Sequence, residues 1–264
     1  MHDRSGDVEV AAQPTALVTG AGGHIGQALL PLLAAAGFRT LGVDRPGAAD
    51  TTGAAVPADR WIAVDLADRA TEARLTAALQ DESRLDLVVA AAGVTALGDL
   101  GSTSDDVFEQ VMAVNYHGAL RTTRAALPGL RSAGGYLVAL SSVAGLLPVP
   151  GRPAYVGAKH AVTGTFLALA DELARDGVAV TVVHPAFLSS TVTEVGGGGA
   201  RSVTGAALDA GDVAREIARL VARRRAGRRV PARVLVGRTA YLADTVHRLA
   251  PGLARRLAAR RLRG

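Results

Sequence analysis

The chain of 264 residues contains no cysteine. That absence excludes thiolate nucleophiles, disulfide staples and zinc–thiolate sites, and it suits a reducing compartment. No apolar run approaches bilayer length, and the opening MHDRSGDVEV lacks the apolar block of a signal peptide. An unprocessed cytoplasmic protein is the default expectation. Aromatics make up only 3% of the residues, and the basic C-terminal stretch lacks the interleaved aromatics of a nucleic-acid surface, so no nucleic-acid partner is expected. Two residue types have almost vanished. Of 29 basic side chains 28 are Arg and one, Lys159, is Lys, while Asn115 is the single Asn. A lone copy can survive by chance, or because Arg cannot replace it: Arg does not deprotonate and presents no compact ammonium.

What is present points to one domain. A hydrophobic fraction of 49% with 20% charged residues is enough for one buried core in a chain of this length. Charge is unevenly spread: residues 215–264 hold 15 Arg against Glu216 and Asp244, whereas residues 1–214 carry a net charge of −8. Residues 1–13 are polar and unpatterned and read as a flexible leader. From Thr15 onward, apolar β-branched runs alternate with Ala/Leu-rich stretches of helical period: TALVTG (15–20), RTLGVD (39–44), WIAVD (61–65), LDLVVAA (85–91), YLVALSS (136–142), VAVTVVHP (178–185) and RVLVG (233–237). Long helices are expected over about 104–130 and 154–175. Seven nearly continuous apolar strands between helices predict a doubly wound α/β domain over 14–237, with a parallel sheet covered on both faces. The loop from about Phe187 to Asp209, with Gly196 to Gly199, reads as mobile.

The first strand runs into TGAGGHIG (19–26). Gly20, Gly22, Gly23 and Gly26 would let the backbone approach a pyrophosphate, with His24 and Ile25 opening a helix whose N–H groups face it. A ligand-free turn also wants glycines; its place in the first βα turn favours phosphate. Asp44, ending the second strand with Arg45 beside it, is placed to accept hydrogen bonds from an adenosine ribose, which favours NAD over NADP. A solvated loop acid is the plainer alternative. Asp65 and Leu66 end the third strand, within reach of an adenine. Tyr155 and Lys159, four apart on one expected helix, share a face about one turn apart. An ammonium there favours the phenolate of a phenol that is otherwise a poor base at neutral pH. Ser142, at the end of a strand, could hydrogen-bond a substrate oxygen.

With TGAGGHIG, VNYHG around Asn115, SSVAG around Ser142 and YVGAK from Tyr155 to Lys159, the sequence resembles the short-chain dehydrogenase/reductase family over about residues 14–237. The resemblance implies Tyr155 as general acid/base, Lys159 as its pKa partner and nicotinamide-ribose ligand, Ser142 as the substrate-orienting hydroxyl and Asn115 in a proton relay. It also implies cofactor contacts from Ala91, Ala92, Gly93, Pro185 and Ser190, and a homodimer or homotetramer packed through the two long helices. The chain departs from the family pattern at His24, where a glycine is usual, in AAAG (90–93) for NNAG, and in Pro185-Ala186 for Pro-Gly. Ser190 stands where the family has a cofactor-contacting Thr, with Thr191 as a substitute.

The activity expected is interconversion of a secondary alcohol and a ketone with NAD, or alternatively NADP, on an apolar substrate lined by Val94, Leu97, Leu146, Pro148, Phe187, Leu188 and Val192. Two rivals stay open: an epimerase or dehydratase that retains NAD, and a non-enzymatic NAD sensor or scaffold. No His spacing suggests a metal site. In 238–264, Leu242, Val246, Leu249, Leu253 and Leu257 recur at helical spacing among arginines, with Pro251 as a break. This basic amphipathic extension either docks on an anionic membrane or packs on its own domain or a partner subunit.

Overall fold

The computed structural model describes residues 13–48, 58–188, 193–196, 208–252 and 256. Ser190, Thr191, Val192 and Gly197 to Gly199, named above, lie outside these residues, as do Leu253 and Leu257. Strand and helix alternate as β1 (Thr15–Thr19), α1 (His24–Ala35), β2 (Arg39–Asp44), β3 (Arg60–Ala63), α2 (Thr71–Ala78), β4 (Leu87–Ala90), α3 (Asp105–Met112) and α4 (Gly118–Ala133). Then follow β5 (Tyr136–Leu140), α5 (Pro153–Ala174), β6 (Ala179–Pro185), α6 (Ala210–Arg225), β7 (Arg233–Val236) and α7 (Arg238–Leu249).

All seven strands are parallel, in the order β3-β2-β1-β4-β5-β6-β7. Strands buried on both faces must be apolar at successive positions, which is why the expected strands read as runs rather than alternations. Leu17, Leu41, Val88, Leu137 and Val182 pack on the side of α2, α4 and α5. Ala16, Val18, Leu87, Val89 and Val138 point the other way, to Leu29, Leu30 and Leu33 of α1 and Val213, Ile217 and Leu220 of α6. Winding reverses direction between β1 and β4, which opens a crevice at the strands' C-terminal ends, where ligands bind in such sheets.

Three features differ from the sequence expectations. The helix expected over 104–130 is a rod of α3 and α4 joined by a π-helical turn, Ala113–His117. Helix α6 was not singled out by the pattern, although Asp209 and Asp212 form a reciprocal capping box and Val213, Ala214, Ile217, Leu220 and Val221 mark its buried stripe. Part of the expected mobile loop is ordered. Thr95 N–H donates to Thr193 O (2.9 Å) and Val195 N–H to Thr95 O (2.9 Å), so 193–196 bridges to the segment after β4, and Val195 packs beside Ala96 and Val111.

Several arginines of 215–264 are engaged by carbonyls or carboxylates of the fold. Arg224 donates to the carbonyls of Gly134 (2.9 Å) and Gly177 (3.0 Å), and Arg225 to that of Ala36 (2.6 Å) while lying 5.0 Å from the Phe38 ring centroid. Gly134 and Ala36 are the C-caps of α4 and α1, where cations complement the helix dipole. Arg215 pairs with Asp212, Arg219 with Glu216 and Arg233 with Asp244. Among the described residues no helix is long and apolar enough to cross a membrane.

Candidate active site

The glycine loop shows why glycine is needed. Gly20 has φ +67°, and a Cβ there would stand 2.7 Å from Ala92 Cα. The end of β1 therefore presses against the Ala91-Ala92-Gly93 backbone, and Ala92 N–H reaches Thr19 Oγ1 at 3.3 Å. A Cβ on Gly26 would stand 2.6 Å from Ala21 Cα, which sets the start of α1 directly on the loop. Gly23 is the N-cap of α1 and brings no side chain to cap it, and the first turn contains no acid. The N–H groups that open the helix at His24, Ile25 and Gly26 are thus left for an anion. Gly20→Ala is expected to lose about 2–4 kcal/mol of stability, from the left-handed backbone and the clash with Ala92, measurable by urea denaturation.

Asp44 ends β2 beside this loop. Its Oδ2 accepts from Gly22 N–H (2.9 Å) and its Oδ1 from Arg45 N–H (2.8 Å), so backbone donors fix the carboxylate and lone pairs remain free. Asp65 turns Oδ1 to Ala67 N–H (2.9 Å), and the buried Leu66 packs where a Cβ on Gly118 would come within 2.9 Å of it. These residues fit a dinucleotide: a cradle that a Cβ would fill, an uncapped helix N-terminus and a fixed carboxylate at the second strand.

The four residues expected to carry chemistry converge at the ends of β4 and β5. Asn115 sits in the π-helical turn and is buried. Its Nδ2 donates to Val94 O and Val111 O (both 2.9 Å), and its Oδ1 accepts from Val94 N–H (3.3 Å). The widened turn thus frees a side-chain amide to clamp the strand end, a recurrent use of π geometry. A Cβ on Gly93 would lie 2.7 Å from Asn115 Oδ1 and 3.5 Å from Lys159 Nζ, so Gly93, Asn115 and Lys159 meet at one point. Ser142, just past β5, caps a 3₁₀ turn, Val143–Gly145, its Oγ accepting from Ala144 N–H at 3.2 Å.

Lys159 is 4% exposed. Its Nζ donates to Leu140 O (2.9 Å) and lies 5.6 Å from the Tyr155 ring centroid. No carboxylate pairs with it among the described residues, and burial pulls its pKa down to about 8. Ser141 and Thr163 pin this turn of α5, both donating to the Lys159 carbonyl (3.1 and 2.9 Å). Tyr155 is pushed up by burial, opposed by hydrogen bonding from Ser142 and by the charge of Arg152.

Arg152 is the residue that sequence reasoning missed. It is the N-cap of α5, its guanidinium carbon 5.7 Å from the Phe187 ring centroid, and burial lowers its pKa. In a chain with 28 Arg, its spacing three residues ahead of Tyr155 was the one signal available. Of the other histidines, His160 is exposed and bonds Val156 O (2.9 Å), and the pKa of His117 is lowered chiefly by burial. Pro185 closes β6. Among the described residues no cluster of His, Cys, Asp or Glu could hold a metal ion.

Comparison with known proteins gives one family. The short chain dehydrogenase model matches residues 14–196. A Mycobacterium tuberculosis protein described as an NAD-dependent oxidoreductase is 40% identical over 134 residues, 50% of this chain and 49% of the relative. Mouse dehydrogenase/reductase SDR family member 7B is 31% identical over 211 residues, 76% of this chain and 64% of that protein. The aligned region thus spans about half the length of the first of these relatives. Among solved structures, a short-chain dehydrogenase from Streptomyces avermitilis superposes with a TM-score of 0.75 at 26% identity, covering 90% of this chain and 92% of that one. A Burkholderia cenocepacia short chain dehydrogenase in complex with NADP shares the fold, with a TM-score of 0.77 at 21% identity over 95% of this chain and 98% of that one. So does a Brucella melitensis 3-ketoacyl-(acyl-carrier-protein) reductase complexed with NADH, with a TM-score of 0.72 at 22% identity over 84% and 95%.

Proposed function

The chain belongs to the short-chain dehydrogenase/reductase family, and from that premise we propose that it interconverts a secondary alcohol and a ketone on an apolar substrate, with NAD preferred over NADP. One observation carries the reading: a lysine buried without a carboxylate among the described residues, one helical turn from a tyrosine that Ser142 hydrogen-bonds, and meeting Asn115 at Gly93. A buried ammonium costs stability, and an acid/base site at the switch crevice supplies a use for it.

When bound, NAD(H) supplies or accepts the hydride. The chain's own groups do the rest. Tyr155 gives its phenolic proton to the carbonyl oxygen in reduction and takes the hydroxyl proton back as phenolate in oxidation. Ser142 Oγ donates to the same substrate oxygen and orients it. The Lys159 ammonium favours the phenolate, and the N–H groups not given to Leu140 O are left for a ribose hydroxyl. Asn115 fixes the Gly93-Val94 backbone, which would form part of the cofactor's floor. Gly20, Gly22, Gly23 and Gly26 with the α1 N-terminus would hold the pyrophosphate, and Asp44 would hold the adenosine ribose. Val94, Leu97, Leu146, Pro148, Phe187 and Leu188 line the substrate side. A homodimer or homotetramer through the outer faces of α4 and α5 completes this reading; light scattering tests it.

The deciding experiment follows absorbance of the reduced nicotinamide with a panel of apolar secondary alcohols and ketones, using both carriers. Turnover with NAD(H) is the expected result. Asp44→Ala is expected to move the ratio of kcat/KM values toward NADP(H) by at least about tenfold, because it removes a fixed negative charge from beside the 2′-phosphate. An unchanged ratio would remove Asp44 from the cofactor site. The Gly20, Gly23 and Gly26 spacing favours one second reading, an epimerase or dehydratase that retains NAD; tight NAD binding without net turnover would select it.

A further inference from the structure

Among the described residues, helix α7 leaves one face without a partner. Its inner side packs through Ala240 and Asp244 onto the fold, with Asp244 paired to Arg233 of β7 at 2.5 Å. Its outer side is a continuous stripe of exposed residues at positions three and four apart: Arg238, Tyr241, Leu242, Thr245, Arg248 and Leu249. Tyr241, Leu242 and Leu249 are 57%, 66% and 81% exposed, and only Leu100 joins them as a large exposed hydrophobic among the described residues. Helix α7 thus packs its inner side on its own domain, while Leu242 and Leu249 of the apolar series point outward.

We propose that this face of α7 docks on an anionic lipid surface. Charge decides between the occupants. Arg224, Arg225 and Arg233 are engaged by carbonyls or a carboxylate of other elements, and Arg215 and Arg219 by carboxylates of their own helix. Among the described residues Arg238 and Arg248 have no such partner, and they flank the exposed leucines, with Arg256 exposed beyond them. A second copy would bring the same positive stripe against itself. Lipid phosphates complement it, and the boundary of the acyl chains accepts Tyr241, Leu242 and Leu249; an interfacial helix combines these same two terms. Leu242 and Leu249 lie seven residues, or about 10 Å, apart along the axis, so both can enter one plane. Placement links the face to the site: Ala240 packs with Val143, Ala186, Leu147 and Phe187, residues next to Ser142 and to the substrate side. The inference goes beyond the oxidoreductase reading and stands or falls without it.

Its test needs no substrate. The full chain is sedimented with phosphatidylcholine vesicles, with and without phosphatidylglycerol. Partitioning is expected to rise at least about tenfold with the anionic lipid and to fall with salt. Leu242→Glu with Leu249→Glu should cut binding about tenfold or more, and so should Arg238→Gln with Arg248→Gln. All four positions are exposed, so the fold should persist, which circular dichroism checks. Equal binding to both vesicle types, or variants that bind like the parent, would overturn the proposal. So would light scattering in which the leucine pair holds two copies together.

Discussion

Tyr155→Phe is expected to lower kcat by about 10²–10⁴-fold, the range that general acid/base catalysis contributes, while NAD(H) still binds. The ring is kept, so packing on α5 is kept, and only the oxygen that moves the proton is lost. Binding followed by nicotinamide fluorescence and turnover followed by absorbance separate the two effects; full turnover in the variant would exclude Tyr155 as the acid/base. The pH dependence has a fixed sign. Oxidation needs phenolate, so its rate rises with pH, whereas reduction needs the phenol and falls on the alkaline side. Burial raises the Tyr155 pKa, and Ser142 and Arg152 oppose that rise. Arg152→Leu should therefore move both limbs to higher pH, and Ser142→Ala should do the same while also loosening the substrate oxygen.

These positions differ in how far the sequence alone revealed them. RTLGVD (39–44) was legible to the residue, because a fully buried run, Thr40 to Val43, is bracketed by the half-buried charges of Arg39 and Asp44. Lys159 and Asn115 stood out because the rest of the chain had lost their types. Arg152 could not stand out for the converse reason, and its role comes from a non-helical N-cap conformation that spacing does not encode. The π-helical turn was invisible because one extra residue in a turn leaves an apolar period almost unchanged, yet it is what aims Asn115 at Val94. Helix α6 was obscured by arginine. The charges that read as a free basic tail are partly the caps of α1 and α4, a contact among segments far apart in the chain.

Lys159→Met is expected to abolish turnover and, in the ligand-free protein, to raise stability at pH 7 by about 2 kcal/mol. The lysine pKa falls from 10.5 to about 8 on burial, which corresponds to about 3 kcal/mol against the charged form, less about 1 kcal/mol for the lost bond to Leu140 O. The sign follows from proton counts. Between about pH 8 and 10.5 the unfolded chain holds the lysine proton and the folded chain does not, so stability rises with pH through that window and is lowest below it. Urea denaturation at neutral and alkaline pH should show this rise in the parent protein and no such rise in the variant. A variant less stable than the parent at both ends would mean that Nζ holds the fold together, and the lysine would need no chemical explanation. The expected result has a sharper consequence. A methionine would serve the fold better at this position, and 28 arginines show how readily basic residues here become Arg. A lysine that persists at a stability cost, within one turn of Tyr155, is then held there by what its ammonium does for a bound ligand and a phenol.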